Sequence, residues 1–308
     1  DGVAVGYYSK GESTASFTNL EPRVTLAYRS QKSAWKASYQ RVHQYLHLIS
    51  NTTSPTPLDV WTPSGKYLKP QRADQWAIGF ATERDNGNTF EAEAFYKKTD
   101  NRYDYIDGAE LVANKALERV LLPGVARAYG LELLFKKTQG MLTGIASYTL
   151  SRAEQQTLGI SENDPGINNG KWYKSPYDKS HDLSLSVSYT PNTRWQWNAN
   201  FVVQSGQPIT YPTGQYEFMG TRIPSFGQRN AQRLPFYHRL DVSATLTPTK
   251  NNLKKVKGSW VFGIYNVYNR RNAATISFKQ DPETGKNQAY KLSIFGIIPS
   301  VTYNIRFC

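Results

Sequence analysis

One cysteine, Cys308, and two methionines are all the sulfur that the 308 residues carry. An internal disulfide and a thiolate metal site are therefore excluded. The four histidines, His43, His47, His181 and His238, are too dispersed for a metal cluster, and no cofactor is expected. No run of about eighteen apolar residues occurs, so no helix is long enough to span a bilayer. No Gly-rich phosphate loop opens a helix and no Ser, His and Asp arrangement is legible, which argues against an enzyme. The chain opens in polar sequence at Asp1-Gly2 without a signal peptide, and it is expected to be a processed product or part of something larger.

Lys and Arg outnumber Asp and Glu by 37 to 24, giving a net charge of +13. No nucleic-acid motif accompanies that excess. The basic residues are scattered over turns and loops, as at Lys97, Lys98, Lys136, Lys137, Lys254, Lys255 and Lys257. Solvated turn charge accounts for any single one, and together they also suit lipid headgroups and lipopolysaccharide phosphates.

What is abundant is alternation. In His181 to Tyr189, Leu183, Leu185, Val187 and Tyr189 fall on one side of a strand and Asp182, Ser184, Ser186 and Ser188 on the other. Leu240, Val242, Ala244 and Leu246 alternate in the same way with Arg239, Asp241, Ser243 and Thr245, and Val301, Tyr303, Ile305 and Phe307 with Thr302, Asn304 and Arg306. One face suits hydrocarbon and the other water, the pattern of an all-β, transmembrane antiparallel β-barrel. Aromatics make up 13% of the chain, and Trp35, Trp76, Trp195, Trp197 and Trp260 sit near strand ends, where interfacial girdles form. The competing explanation is a soluble sandwich with an aromatic core.

Periodicity and breakers give about eleven strands with connections that alternate in length. Short turns occur near Lys32, at Asp85-Asn86-Gly87, at Gln139-Gly140, at Pro191-Asn192 and in a Lys-rich stretch before Ser259. Long polar segments run from about Ser50 to Ala73, Thr99 to Gly124, Glu154 to Lys179 and Gln207 to Pro235. Short periplasmic turns and long extracellular loops account for this order. The last strands are expected over Ser259 to Lys279 and from about Gln288 to Phe307. Since single-chain bacterial barrels have even strand numbers, either Val3 to Ser9 adds a strand to a barrel of about twelve, or the chain is part of a larger one.

Asn19-Leu20-Glu21-Pro22-Arg23, Pro55-Thr56-Pro57-Leu58-Asp59-Val60-Trp61 through Lys69-Pro70-Gln71, Ala128-Tyr129-Gly130-Leu131-Glu132-Leu133-Leu134, Ser147 to Arg152, Tyr177 to Asp182, Asn266-Val267-Tyr268-Asn269-Arg270-Arg271-Asn272 and Pro299 to Phe307 occur in order along the chain. Together these segments resemble the C-terminal barrel of TonB-dependent outer-membrane receptors. Such barrels have about 22 strands. The resemblance implies that residues 1–308 correspond to roughly the second half of one, with the plug and first half absent. It implies an outer-membrane receptor taking up a scarce nutrient such as a siderophore, glycan or peptide. The implied partners are TonB, through a missing N-terminal segment, the barrel-assembly machinery, through the last strand, and outer-membrane lipid. The family usually ends on an aromatic residue, whereas Phe307 is followed here by Cys308. Ile298-Pro299-Ser300-Val301 does not resemble the ending of glycan importers that carry a lipoprotein lid.

A passive porin of about twelve strands, a binding or secretion-associated barrel and a barrel-based surface enzyme are the alternatives. On the expected lumen face lie Glu91, Glu93, Glu132, Arg152, Asp182, Asn198, Asn200, Gln204, Arg239 and Asp241, where they would meet the plug, water or, near the rim, a ligand. Substrate candidates in the loops are Trp61, Tyr67, Trp172, Tyr173, Tyr211, Tyr216 and Phe218, a set able to stack on a sugar, a chelate or a peptide side chain. Asp100 to Asp107, DNRYDYID, has spaced carboxylates but lacks the Gly and terminal Glu of an EF-hand loop.

Overall fold

The computed structural model describes residues 9–49, 60–109, 111, 114, 117–161, 163–248, 256–281, 285 and 287–307. Val3 to Ser9, proposed above as a strand, lies outside the described residues except for Ser9, as do residues 50–59 and Cys308. β1 (Arg23–Arg29) and β2 (Ser33–Gln44) form a tight hairpin. A spur of β3 (Leu46–Ile49) and β4 (Val60–Pro63) follows, and β5 (Gln71–Glu83) then returns to pair with β2. β6 (Asn88–Tyr105), β7 (Leu121–Lys137) and β8 (Leu142–Gln156) continue the wall, with short β9 (Tyr173–Lys174) added to the end of β8.

After β10 (His181–Tyr189) and β11 (Trp195–Gln204) comes a loop with its own hairpins, β12 (Pro208–Ile209) pairing β15 (Gln232–Arg233) and β13 (Pro212–Phe218) pairing β14 (Thr221–Phe226). β16 (Tyr237–Leu246), β17 (Val256–Tyr265), the loop hairpin β18 (Thr275–Gln280) with β19 (Asn287–Leu292), and β20 (Ile298–Phe307) complete the order. The wall is a path of eleven strands, β1-β2-β5-β6-β7-β8-β10-β11-β16-β17-β20, antiparallel throughout. β1 and β20 do not pair with each other, so the sheet is open.

The expected strand from Ser259 to Lys279 is corrected: β17 ends at Tyr265, and Thr275–Gln280 belongs to a separate hairpin that rises between β17 and β20. The break is at Asn266 and Asn269, both with positive φ (54° each), a conformation asparagine tolerates better than most residues. Asn266 is buried, and its side chain bonds the backbone of Arg270 in both directions, at 3.0 and 2.9 Å, which fixes the turn. The segment expected as a loop from Thr99 to Gly124 is shorter than read, because β6 and β7 stay paired out to Tyr105 and Leu121.

Register gives the wall two faces. Leu183 stands opposite Tyr148 and Val203, and Leu185 opposite Ala146 and Phe201. On the other face Glu93 stands opposite Gly79 and Glu132, Glu132 opposite Thr149, Thr149 opposite Asp182, and Asp182 opposite Gln204. Large apolar residues such as Leu26, Ile78, Leu185, Val301 and Ile305 are exposed, so no second sheet covers them among the described residues. That excludes the sandwich. A wall of this kind buries its apolar face in lipid. The buried protein core sits at the loop end, where Ile49, Leu68, Tyr103, Leu111, Leu117 and Leu121 pack together. No helix of the described residues is long and apolar enough to cross a membrane.

Aromatics band the apolar face at both ends. Toward the long loops, Tyr39, Trp76, Tyr96 and Tyr129 line up across β2, β5, β6 and β7 with centroid spacings of 5.5, 6.1 and 6.4 Å. Toward the short turns lie Trp35 with Phe80 (4.7 Å), Trp195 with Trp197 (5.7 Å) and Trp260 with Tyr303 (4.6 Å). Amphipathic rings favour the lipid–water boundary.

Candidate functional site

Glu91, Glu93, Glu132, Asp182, Asn198, Asn200, Gln204, Arg239 and Asp241 all fall on the polar face. A hollow of about 460 Å³ on that face is lined by Lys36, Glu91, Glu93, Glu132, Ser147 and Thr149 among others. Further along, Asp182 accepts from Gln204 Nε2 at 2.9 Å, and Asp241 accepts from Arg239 Nε at 2.9 Å and from the Asn266 backbone N–H at 2.8 Å. Arg239 also donates to the Tyr265 hydroxyl at 2.7 Å. These groups satisfy one another across strands.

Arg152 is the exception, and its lumen assignment is corrected. It stands opposite Tyr129 and two residues after Leu150, hence on the apolar face. Its guanidinium reaches Glu154 Oε1 at 2.6 Å, just past the aromatic row. A charge is tolerated there because the strand has already emerged from hydrocarbon.

At the loop end the polar face carries a buried network around Asp104. Its carboxylate accepts from Gln155 Nε2 at 2.7 Å, the Tyr173 hydroxyl at 2.5 Å and Arg229 Nη1 at 2.6 Å. Arg229 comes from the loop between β11 and β16. It also donates to the Tyr105 carbonyl at 2.8 Å, pairs with Asp107 and lies 4.5 Å from the Tyr105 ring centroid. Asn168 then holds the Arg229 backbone from both sides, at 3.0 and 2.8 Å. Three loops are thereby tied to the end of β6. Burial opposes the Arg229 charge, but Asp104 and Asp107 outweigh it and raise its pKa. Burial, and after it the charge of Asp104, raises that of Tyr173.

Beside this network opens a cleft of about 270 Å³, lined among others by Arg102, Tyr103, Tyr105, Tyr177, Arg229 and Asn230. Arg102 is half-buried there, and no carboxylate of the described residues forms an ion pair with it. An aromatic-walled cleft with a guanidinium that no described carboxylate neutralises suits an anionic, partly aromatic ligand.

The structure does not gather the seven loop candidates around this cleft. Tyr173 is corrected outright: its ring is buried with Leu122 and Ile167 and its hydroxyl is committed to Asp104, Gln155 and Thr157, so it supports the floor. Trp172 covers the Arg127 guanidinium at 4.1 Å, and Tyr211 packs edge-on against Phe278 at 5.1 Å. Trp61 and Tyr67 are exposed near the spur, and Tyr216 and Phe218 are exposed on β13, away from the cleft lining. The lining residues Arg102, Tyr103 and Tyr105 lie inside DNRYDYID, whose carboxylates are its more conspicuous sequence signal. Those are engaged otherwise, Asp100 with Arg72 and Asp104 and Asp107 with Arg229. Among the described residues no group of three or more His, Cys, Asp or Glu is placed to hold a metal ion.

A family model described as TonB dependent receptor-like, beta-barrel, matches residues 2–267. No curated protein matches the chain significantly in sequence. Among solved structures, the chain is similar to the ferric-catecholate import receptor Fiu of E. coli K12, with 15% identity, a TM-score of 0.55, and 92% of this chain and 34% of that one covered. It is similar to the ferripyoverdine receptor of Pseudomonas aeruginosa, with 14% identity, a TM-score of 0.56 and coverage of 93% and 32%. It is also similar to BauA, the ferric preacinetobactin receptor of Acinetobacter baumannii, with 17% identity, a TM-score of 0.54 and coverage of 93% and 36%. The chain thus spans about a third of the length of these structures.

Proposed function

The chain belongs to the TonB-dependent receptor-like β-barrel family, an outer-membrane family, and from that membership we propose that it supplies part of the barrel wall and mouth of a receptor that takes up a scarce nutrient. In this reading TonB drives release through a plug that fills the lumen, and the polar face, Glu93 and Glu132 included, packs on that plug. The ligand is captured first at the loop end. The observation that carries this is the cleft at the mouth, where Arg102 has no carboxylate partner among the described residues and stands with Tyr103, Tyr105 and Tyr177. Its chemistry favours an anionic chelate over a neutral glycan. The solved neighbours named for ferric catecholate, ferripyoverdine and ferric preacinetobactin make iron chelates the first class to assay.

The test is equilibrium binding of a panel of ferric chelates, acidic peptides and oligosaccharides to the full-length receptor, followed by uptake with and without TonB. Arg102→Gln and removal of 207–233 are expected to weaken binding at least tenfold, and Glu132→Gln to leave it unchanged. Binding that survives both loop-end changes but is lost with Glu132→Gln refutes capture at the mouth. Uptake independent of TonB refutes the energised receptor in favour of a passive pore.

A further inference from the structure

The short-turn end of the wall carries charge of one sign. Arg29 and Lys32 flank the turn after β1, Arg84 opens the turn after β5, Lys136 and Lys137 precede the one after β7, and Arg194 closes the one after β10. Lys257 and Arg306 end the β17–β20 pair. Among the described residues the acids beside these turns are Glu83 and Asp85, and of the cations Lys32 alone is in an ion pair, with Asp85. At the long-loop end, by contrast, Arg41, Arg72, Arg127, Arg152, Arg229 and Arg233 each hold a carboxylate. Lys257 and Arg306 also stand directly opposite each other across β17 and β20. Like charges so placed destabilise a sheet unless an anion offsets them. Register turns most of these cations toward the lumen opening. Arg29 follows Tyr28, which faces lipid opposite Trp35, and Lys136 stands opposite Thr89, one residue from lipid-facing Phe135 and Phe90. Arg194 precedes Trp195, and Lys257 and Arg306 are three residues from Trp260 and Tyr303.

We infer that this rim binds the peptidoglycan beneath the outer membrane, through the carboxylates of its stem peptides. The geometry favours a long, repeating anion. Strands lie about 4.8 Å apart, so hairpin turns recur roughly every 10 Å along the rim, and a small ligand reaches at most two of them. No carboxylate of the described residues fixes the cations other than Lys32, so each contact is weak and binding gains from the number of contacts made at once. Inner-leaflet headgroups surround a barrel, whereas these side chains point beneath it. The orientation rests on membership of an outer-membrane family whose short turns face the periplasm, and the inference does not depend on what is imported.

The test is co-sedimentation of the full-length receptor, in phosphatidylcholine nanodiscs, with purified peptidoglycan sacculi that are either native or amidated at their carboxylates. Wild type is expected to sediment with native sacculi, less so as salt rises, and not with amidated ones. Lys257→Gln with Arg306→Gln and, separately, Arg29→Gln with Arg194→Gln should each weaken binding about 25-fold, at about a factor of five per basic residue near a charged surface. Lys98→Gln, at the long-loop end, should change nothing. The two double variants lie on different strands, so either one with an unchanged heat-modifiable gel band serves if the other does not fold. Failure of wild type to sediment with native sacculi, equal sedimentation with amidated sacculi, or binding untouched in the folded variants would each overturn the inference.

Discussion

Replacing Arg229 by Gln should free the loop between β11 and β16 without unfolding the wall. The side chain is 11% exposed and its partner Asp104 is 9% exposed, with 2.6 Å between them. Removing one member of a buried pair costs about 3–5 kcal/mol, because the remaining charge stays desolvated. Asp104 keeps two donors here, Gln155 and the Tyr173 hydroxyl, which places the cost near the lower limit, about 3 kcal/mol. At tenfold per 1.4 kcal/mol, the open population of the loop should rise roughly 100-fold. Asp107 is 84% exposed, so Asp107→Asn should cost under about 1 kcal/mol although it contacts the same guanidinium.

Hydrogen exchange of the full-length receptor, read on peptides within 205–236 and on β11 and β16 as internal references, measures both effects. The double variant Arg229→Gln with Asp104→Asn should recover part of the loss, since no unpaired buried charge remains. Equal effects of Asp104→Asn and Asp107→Asn, or loop exchange unchanged by Arg229→Gln, would show that the loop is held by something other than this pair.

Val242 stands opposite Ala199 and Ile264, and Ser243 opposite Asn198 and Gly263. Val242→Arg should therefore cost about 2–4 kcal/mol in urea unfolding from vesicles, and Ser243→Arg far less; equal costs would contradict the assignment of faces. The pKa of His47 is lowered by burial and then by Arg102. A histidine held neutral contributes its full stability above its unfolded value, about 6.5, and loses it as pH falls through the lower folded value. Exchange of the β3–β4 spur should accordingly quicken, beyond its intrinsic pH dependence, as pH falls below about 6.5, and an unchanged profile in His47→Gln would refute the link.

Legibility followed the range of the interactions. Period two is local, so Leu183, Val242 and Val301 announce their face from two neighbours on either side, and the alternation of short and long connections follows from where those runs stop. Polarity points Arg152 to the lumen, but parity decides its face: it is two residues from Leu150 and three from Thr149. The loop-end network had no such signal. Asp104 and Arg229 are 125 residues apart, and nothing periodic links a strand extension to a loop tip. Tyr173 resembles a ligand residue for the same reason, since its burial depends on Asp104 and Leu122, both far from it in sequence.

The two edges of the wall carry the last consequence. Among the described residues β1 pairs only with β2 and β20 only with β17. About half of the backbone N–H and C=O groups of an edge strand point away from its one partner. In hydrocarbon each such group costs several kcal/mol, more than the side chains of a seven-residue or ten-residue strand can offset. Val24, Leu26, Val301 and Ile305 are exposed along both, and among the described residues no strand pairs with either outer edge. We infer that each edge takes a further antiparallel strand in the working protein, as closure requires, and that residues 1–308 expressed alone will not form a closed pore. A heat-resistant monomer of those residues that conducts ions in a planar bilayer would contradict this and return the small porin as the better account.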